Sequence, residues 1–379
     1  MVVEAACRAG LEKVPTIRID YLSESQQRAL AIALNRTAET GSWDLEALKL
    51  EFDELIELDE DIISTGFELA EIDALLIEEV PDQQEVEELP SVPQTPVSQP
   101  GDVWCCGEHR LAQGDARDPS VYERLFVDTA TARLVLTDPP FNVPVRGHCT
   151  TQSRHREFAM AHGELSRDEF AAFNYEWMRP ALGYLGDGGL LASFIDWRSV
   201  ELILAAGREL DLELLNLIVW NKSNAGQGSL WRSQHELLPV FKKGMGRHTN
   251  NIELGRWGRY RSNVWSYAGA TTLGSDAREG LLVHPTVKPR EMLEDALLDV
   301  TDRGDVVLDC FLGSGSTLLA AETTGRICMA VELDSGYCDV AIERWQTATG
   351  CDAILNETGE TFAEVSSRRG VHPSIEGDL

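Results

Sequence analysis

Between residues 306 and 332 the chain runs through an apolar segment, a glycine-rich turn, a helix start, a second apolar segment and an acid. This series constrains the fold more than any other feature. Val306–Cys310 reads as a buried strand. The turn is Asp309-Cys310-Phe311-Leu312-Gly313-Ser314-Gly315-Ser316-Thr317, with a helix opening at Ser316. Gly313 and Gly315 let the backbone approach a ligand and adopt φ values that other residues avoid. The free N–H groups of the helix start then face that ligand. Ile327–Val331 is the next strand, and Glu332 stands at its end, where a carboxylate can accept both hydroxyls of a ribose. The Gly-x-Gly lacks the third glycine of the dinucleotide fingerprint. Alone it fits a plain strand-to-helix turn equally well, but the whole series points to a nucleoside-bearing cofactor.

The same alternation fills the chain from Gly101 onward. Arg133–Thr137, Gly189–Phe194, Leu214–Trp220 and Leu237–Phe241 read as strands. Val200–Leu210, Pro289–Val300 and a segment from Gly336 read as helices. Apolar strands alternating with helices predict an α/β fold with a doubly wound, mostly parallel sheet covered on both faces. Ligands of such sheets sit at the carboxyl ends of the strands. Asp138-Pro139-Pro140-Phe141 follows one strand directly. The prolines stiffen the backbone and remove two donors, leaving carboxylate and carbonyl acceptors beside an aromatic ring. That set suits an exocyclic amine on a planar base. His284-Pro285-Thr286-Val287-Lys288-Pro289 leads into the helix before the glycine-rich strand, with Pro289 fitting a first helical turn.

The front of the chain differs. Residues 51–90 hold sixteen acids and no Lys or Arg. Ser23–Ala38 reads as a helix with Ser23 and Gln26 as a capping box and an apolar face of Leu30, Ile32, Ala33 and Leu34. Leu45–Leu58 is a second, with Leu45, Leu48, Phe52, Leu55 and Ile56 in one stripe, and Glu68–Ile77 a third. Residues 1–80 are thus a helical module, 81–100 a proline-rich linker and 101–379 the α/β domain. No apolar run is long enough to span a bilayer and no secretory leader opens the chain. The eight cysteines form no C-x-x-C pair and no zinc-ligand cluster, so no metal is expected and the thiols read as reduced and cytosolic, with Cys310 and Cys328 buried. The net charge of −30 argues at first sight against nucleic acid. Its distribution argues back: residues 221–290 hold eleven Lys or Arg against four acids.

Taken together, DPPF, FLGSGS and HPTVKP resemble the motifs of the DNA amino-methyltransferases, with the catalytic motif ahead of the cofactor motif as in their circularly permuted β group. GDGGLLASFIDWRS, VWNKSNAGQGSLWRSQHELLPVFKKG and Gly114-Asp115 fit the same family, and the resemblance covers about residues 103–367. It implies a Rossmann-like class I methyltransferase sheet and S-adenosylmethionine as cofactor. It further implies that Asp138 and the Pro139 carbonyl accept from the target amine, with Pro140 stiffening the turn and Phe141 stacking on a flipped base. Asp115 would bond the cofactor's adenine, and Glu332 its ribose. Phe311, Gly313 and Gly315 would wrap the methionine part, with Thr286 and Lys288 beside its carboxylate, and Asp309, Ser316 and Thr317 would also belong to the cofactor site.

In this family the stretch before HPTVKP recognises the target, here about residues 244–282. Lys222, Arg232, Arg247, Arg256, Arg259 and Arg261 are the candidate contacts to double-stranded DNA. The Val145–Glu164 segment, with Arg146, His148, Arg154, His155 and Arg156, is a second. Residues 14–78 resemble the distal part of ParB-like domains, without the upstream region that carries their chemistry. The expected activity is adenine-N6 methylation, since Asp rather than Ser stands at 138. Cytosine N4 and an inert DNA-binding adaptor are the alternatives. A prokaryotic or phage-encoded, cytoplasmic protein is implied; dimerisation, a restriction partner and the recognised sequence stay open.

Overall fold

The helical spacing of the front end and the strand–helix alternation behind it produce two separate units, Met1–Glu79 and Val80–Leu379. The computed structural model describes residues 19–37, 43–58, 60–76, 90–127, 130–142, 163–223, 225, 230–252, 259–268 and 288–371.

In the first unit, α1 (Glu24–Thr37), α2 (Leu45–Glu57) and α3 (Leu69–Leu76) surround a small core, with a 3-10 turn at Ile62–Thr65. Ser23 and Gln26 form the expected capping box, each backbone N–H donating to the other's side chain at 3.1 Å. The core is Ala29, Ile32, Leu48, Phe52, Leu55, Ile62, Phe67 and Ile72. Leu34 and Leu45, read from sequence as part of the apolar stripes, are exposed. The i, i+4, i+7 set of Leu48, Phe52 and Leu55 turns inward and leaves Leu45 on the rim.

The second unit contains β1 (Val103–Cys106), β2 (His109–Gln113), α4 (Pro119–Leu125), β3 (Ala132–Thr137), α5 (Arg167–Tyr184), β4 (Leu185–Ser193), α6 (Val200–Glu209), β5 (Glu213–Lys222), β6 (His235–Lys242) and β7 (Val264–Tyr267). It continues through α7 (Arg290–Val300), β8 (Val306–Asp309), α8 (Ser316–Thr324), β9 (Ile327–Glu332), α9 (Ser335–Thr349), β10 (Ile354–Leu355) and α10 (Phe362–Arg369). The strands form one sheet in the order β10-β1-β2-β9-β8-β3-β4-β6-β5-β7. The run β2-β9-β8-β3-β4 is parallel, and β6 enters antiparallel between β4 and β5.

Alternate residues of the central strands feed two cores. Leu134, Leu136, Val307, Cys328 and Ala330 pack on one face with α7, α8 and α9. Val135, Val306, Leu308, Met329 and Val331 pack on the other with α4, α5 and α6. Burial on both faces is why these strands read as continuous apolar runs. Cys310 and Cys328 are buried, as expected, and the cysteines among the described residues are free thiols. No helix among the described residues is long and apolar enough to cross a membrane.

Residues 90–100, read from sequence as linker, are built into the second unit. The Val97 and Ser98 N–H groups donate to the two oxygens of buried Asp339 at 2.6 and 2.9 Å. Two otherwise unpaired backbone donors and a buried carboxylate satisfy one another there. Residues 81–89 lie outside the described residues.

Candidate active site and cofactor cradle

Parallel pairing brings four chain segments to one edge of the sheet. Gln113 pairs with Glu332, Asp309 with Ala330, and Thr137 with Ser193. The strand ends at Asp115, Asp138, Asp309 and Glu332 therefore open together. Local bonds lock them: the Gly114 N–H donates to the Glu332 carbonyl at 2.9 Å, and the Thr137 hydroxyl donates to Asp309 Oδ1 at 2.7 Å while accepting from the Cys310 N–H at 3.1 Å.

The glycine-rich turn is shaped by its two glycines in different ways. Gly313 and Gly315 both have positive φ, 58° and 92°. A Cβ at Gly315 would lie 2.9 Å from the Ala341 Cβ, so this glycine lets α8 pack against α9. A Cβ at Gly313 would meet no atom within 4 Å, so the space beside the turn is open. Glu332 fixes the turn from the neighbouring strand, its carboxylate accepting from the N–H groups of Gly313 and Asp334, both at 2.8 Å. Burial pushes its carboxyl up to about 7. Asp309 is buried and accepts from the Phe311 N–H at 3.0 Å, a turn-forming role. The Phe311 ring lies edge-on to Trp177 at 5.5 Å. Ser316 and Thr317 are buried in the first turn of α8. Asp115 is paired with Arg117 at 2.7 Å. An open-sided turn, a strand-end carboxylate beside it and a helix start fit a nucleoside cofactor.

Asp138 stands on the other half of this edge. Its Oδ2 receives the ammonium of Lys288. Its Oδ1 is buried and has no hydrogen-bond partner. Burial pushes the carboxyl up to about 6 against the pull of the Lys288 charge, and Glu236 pushes the same way as burial. The Lys288 Nζ lies 5.5 Å from the Phe141 ring centroid and 4.9 Å from that of Phe194. Pro139 and Pro140 complete the turn. Asn142, at φ 56°, then clamps the far side: its side chain donates to the Leu165 carbonyl at 2.7 Å and accepts from the Gly163 N–H at 3.0 Å. Asn tolerates this left-handed conformation better than most residues.

The structure places several expected residues elsewhere. Lys288, expected beside the cofactor, has its ammonium on Asp138 and, at 3.3 Å, on Glu236. Arg259 and Arg261, expected on DNA, are 12 % and 19 % exposed and pair with Asp295 and Asp299 of α7. Two acids on the buried side of a helix need counter-charge, and these guanidinia supply it. Lys222 pairs with Glu236, and Arg232 donates to the Ala225 carbonyl at 2.5 Å. Arg247 is exposed. Thr286, Arg256, residues 145–162 and most of 244–282 lie outside the described residues. Sequence reasoning passed over Glu236. Its signal was an acid opening the otherwise apolar strand HELLPVF. No group of residues suited to a metal ion occurs among the described residues.

Comparison with known proteins identifies this architecture. Residues 132–343 match the DNA methylase family of N6/N4 type, and residues 46–100 match the ParB-methyltransferase HTH domain. The type II methyltransferase M.HpaI of Haemophilus parainfluenzae is 22 % identical over 58 % of this chain and 70 % of its own length. M.HinfI of Haemophilus influenzae is 28 % identical over 56 % of this chain and 62 % of its own length. The crystal structure of the M1.HpyAVI–SAM complex aligns with a TM-score of 0.46 at 19 % identity, covering 62 % of this chain and 97 % of that one. With a family match spanning more than half of the chain, including the Asp138 turn and the glycine-rich turn, the chain belongs to the N6/N4 DNA methylases, whose methyl donor is S-adenosylmethionine.

Proposed function

We propose that the protein methylates the N6 amine of adenine within a specific sequence of double-stranded DNA. The observation that carries this reading is Asp138 Oδ1, a buried acceptor without a partner at the end of β3, within the stretch that matches the DNA methylase family. An orphaned buried oxygen is costly unless a ligand donor fills it. An exocyclic amine supplies that donor.

Glu332 would hold the ribose of S-adenosylmethionine, the open side of Gly313 would take its methionine part, and Asp115 would reach its adenine. The bound cofactor supplies a methyl group on a sulfonium, already a strong electrophile. Asp138 Oδ1 accepts one N–H of the target amine and the Pro139 carbonyl the other, favouring a pyramidal nitrogen with its lone pair free. Phe141 stacks on the base, which must leave the duplex at a cost of a few kcal/mol. The freed lone pair would take the methyl group from the cofactor, which would keep the bonding pair as a neutral thioether. The proton shed by the nitrogen passes to Asp138. Alignment in a site shielded from water supplies most of the acceleration. Arg232 and Arg247, both exposed, are the described candidates that would face the phosphates, and their contribution weakens as salt rises.

Incubation with tritiated S-adenosylmethionine and DNA, followed by nucleoside analysis, tests the proposal. Label in N6-methyladenine is the expected result. Label in N4-methylcytosine overturns the choice of base, because the same amine chemistry serves either. No label in protein that binds cofactor overturns the activity.

A further inference from the structure

A row of alternating charges runs along the target half of the sheet edge. Asp138 ends β3 and meets Lys288, two residues before α7. Lys288 lies 3.3 Å from Glu236 Oε2 at the start of β6. Glu236 Oε1 receives Lys222 from the end of β5. Asp309, ending β8, is the remaining charge that acts on Asp138. The charges that act on Asp138 thus come from the segment before α7, from β6 and from β8.

Lys288 is unusual among them. Its side chain is 7 % exposed. The rings of Phe194, Phe141 and Trp220 lie 4.9, 5.5 and 5.9 Å from its ammonium. An ammonium so enclosed has few places to go, and its bonds to two carboxylates from different strands fix it further. The bonds of Glu332 and Gly313 are to each other and to backbone and do not involve it.

We propose that Lys288, held by Glu236, is a positioning residue for Asp138. By engaging Oδ2 it orients the carboxylate so that Oδ1 alone meets the incoming amine. This rests on the reading of Asp138 as the amine acceptor. The two partners act on the Asp138 charge with opposite sign: the Lys288 ammonium favours the ionised form, and the Glu236 carboxylate disfavours it. Transfer needs Asp138 ionised, so the rate falls as pH drops through the region of about 6.

The test is the single-turnover rate of methyl transfer as a function of pH, at saturating DNA and cofactor, with cofactor binding measured in parallel. Lys288→Met should lower the rate on the order of 100-fold, the cost of misplacing a reacting group by about 1 Å. It should also move the acidic limb to higher pH. Glu236→Gln should lower the rate about tenfold and move that limb to lower pH. A role confined to folding would reduce amplitude without shifting the limb in opposite directions. Wild-type rate and an unmoved limb in both variants, with cofactor binding intact, overturn the proposal. If Lys288→Met no longer binds cofactor, Glu236→Gln, which conserves volume, decides alone. Asp138→Ala separates the two claims. Activity in that variant removes the underlying reading. An inactive Asp138→Ala beside unaffected Lys288 and Glu236 variants removes only the positioning role.

Discussion

Two carboxylates share one edge of the sheet and are held in opposite ways. Glu332, on the cofactor half, has both oxygens on backbone N–H groups of the adjoining turns. Asp138, on the target half, has one oxygen on a buried ammonium and the other on nothing. Burial raises both carboxyls, to about 7 and about 6. The difference lies in what fixes them. Main-chain donors set Glu332, so the cofactor half depends on the path of the backbone, and only a glycine and the acid itself are specified. A side chain, Lys288, itself paired with Glu236 of β6, sets Asp138, so this half can be tuned one residue at a time.

The largest test of this contrast is Asp138→Ala. Methyl transfer should fall on the order of 10³-fold or more, as when a preorganised group at the reacting atom is lost. Cofactor affinity measured by calorimetry should stay within about twofold, since nothing in the cradle leans on Asp138. A matching drop in affinity would show that the halves are not independent. Gly313→Ala probes the other half. The alanine costs about 1 kcal/mol in the left-handed region, and its methyl enters the open space beside the turn. Cofactor affinity should fall about tenfold, with the thermal midpoint lowered by only about 2 °C through that backbone strain, because the methyl meets no protein atom. The smallest effect concerns pH. A carboxyl raised to about 7 is charged only above that value. Cofactor affinity of the wild type should therefore decline as pH falls through about 7, and Glu332→Gln should be weaker and flat across the same range. A sloping profile in the variant would assign the titration to another group.

Much of this was legible in the sequence because it is local. The strand, turn, helix and acid of 306–332 lie within one βαβ unit, and its residues fall where the spacing puts them. DPPF likewise emerges directly from its strand. What escaped was the choice of partner across long separations. Lys288 sits in a recognisable motif, yet the cation is 150 positions from the carboxylate it binds. Arg259 and Arg261 look like phosphate ligands while Asp295 and Asp299, more than thirty residues later, are ignored. Glu236 is a single acid in an apolar strand, and only the antiparallel entry of β6 brings its first residues to the site. Val97 and Ser98 carried no signal, because their bonds to Asp339 use backbone donors that any sequence possesses.

The pairing of β3 with β8 has a kinetic consequence. The Thr137–Asp309 hydrogen bond closes a separation of 172 residues at the centre of the sheet. As the chain leaves a ribosome, β3 can pair with β4 early, but it must wait for more than half of the domain before its other neighbour, β8, exists. Until then β3 offers an unsatisfied apolar edge, the kind of surface that slows folding and invites aggregation. The proposed active site is therefore completed late, only once β8 and then β9 have been made.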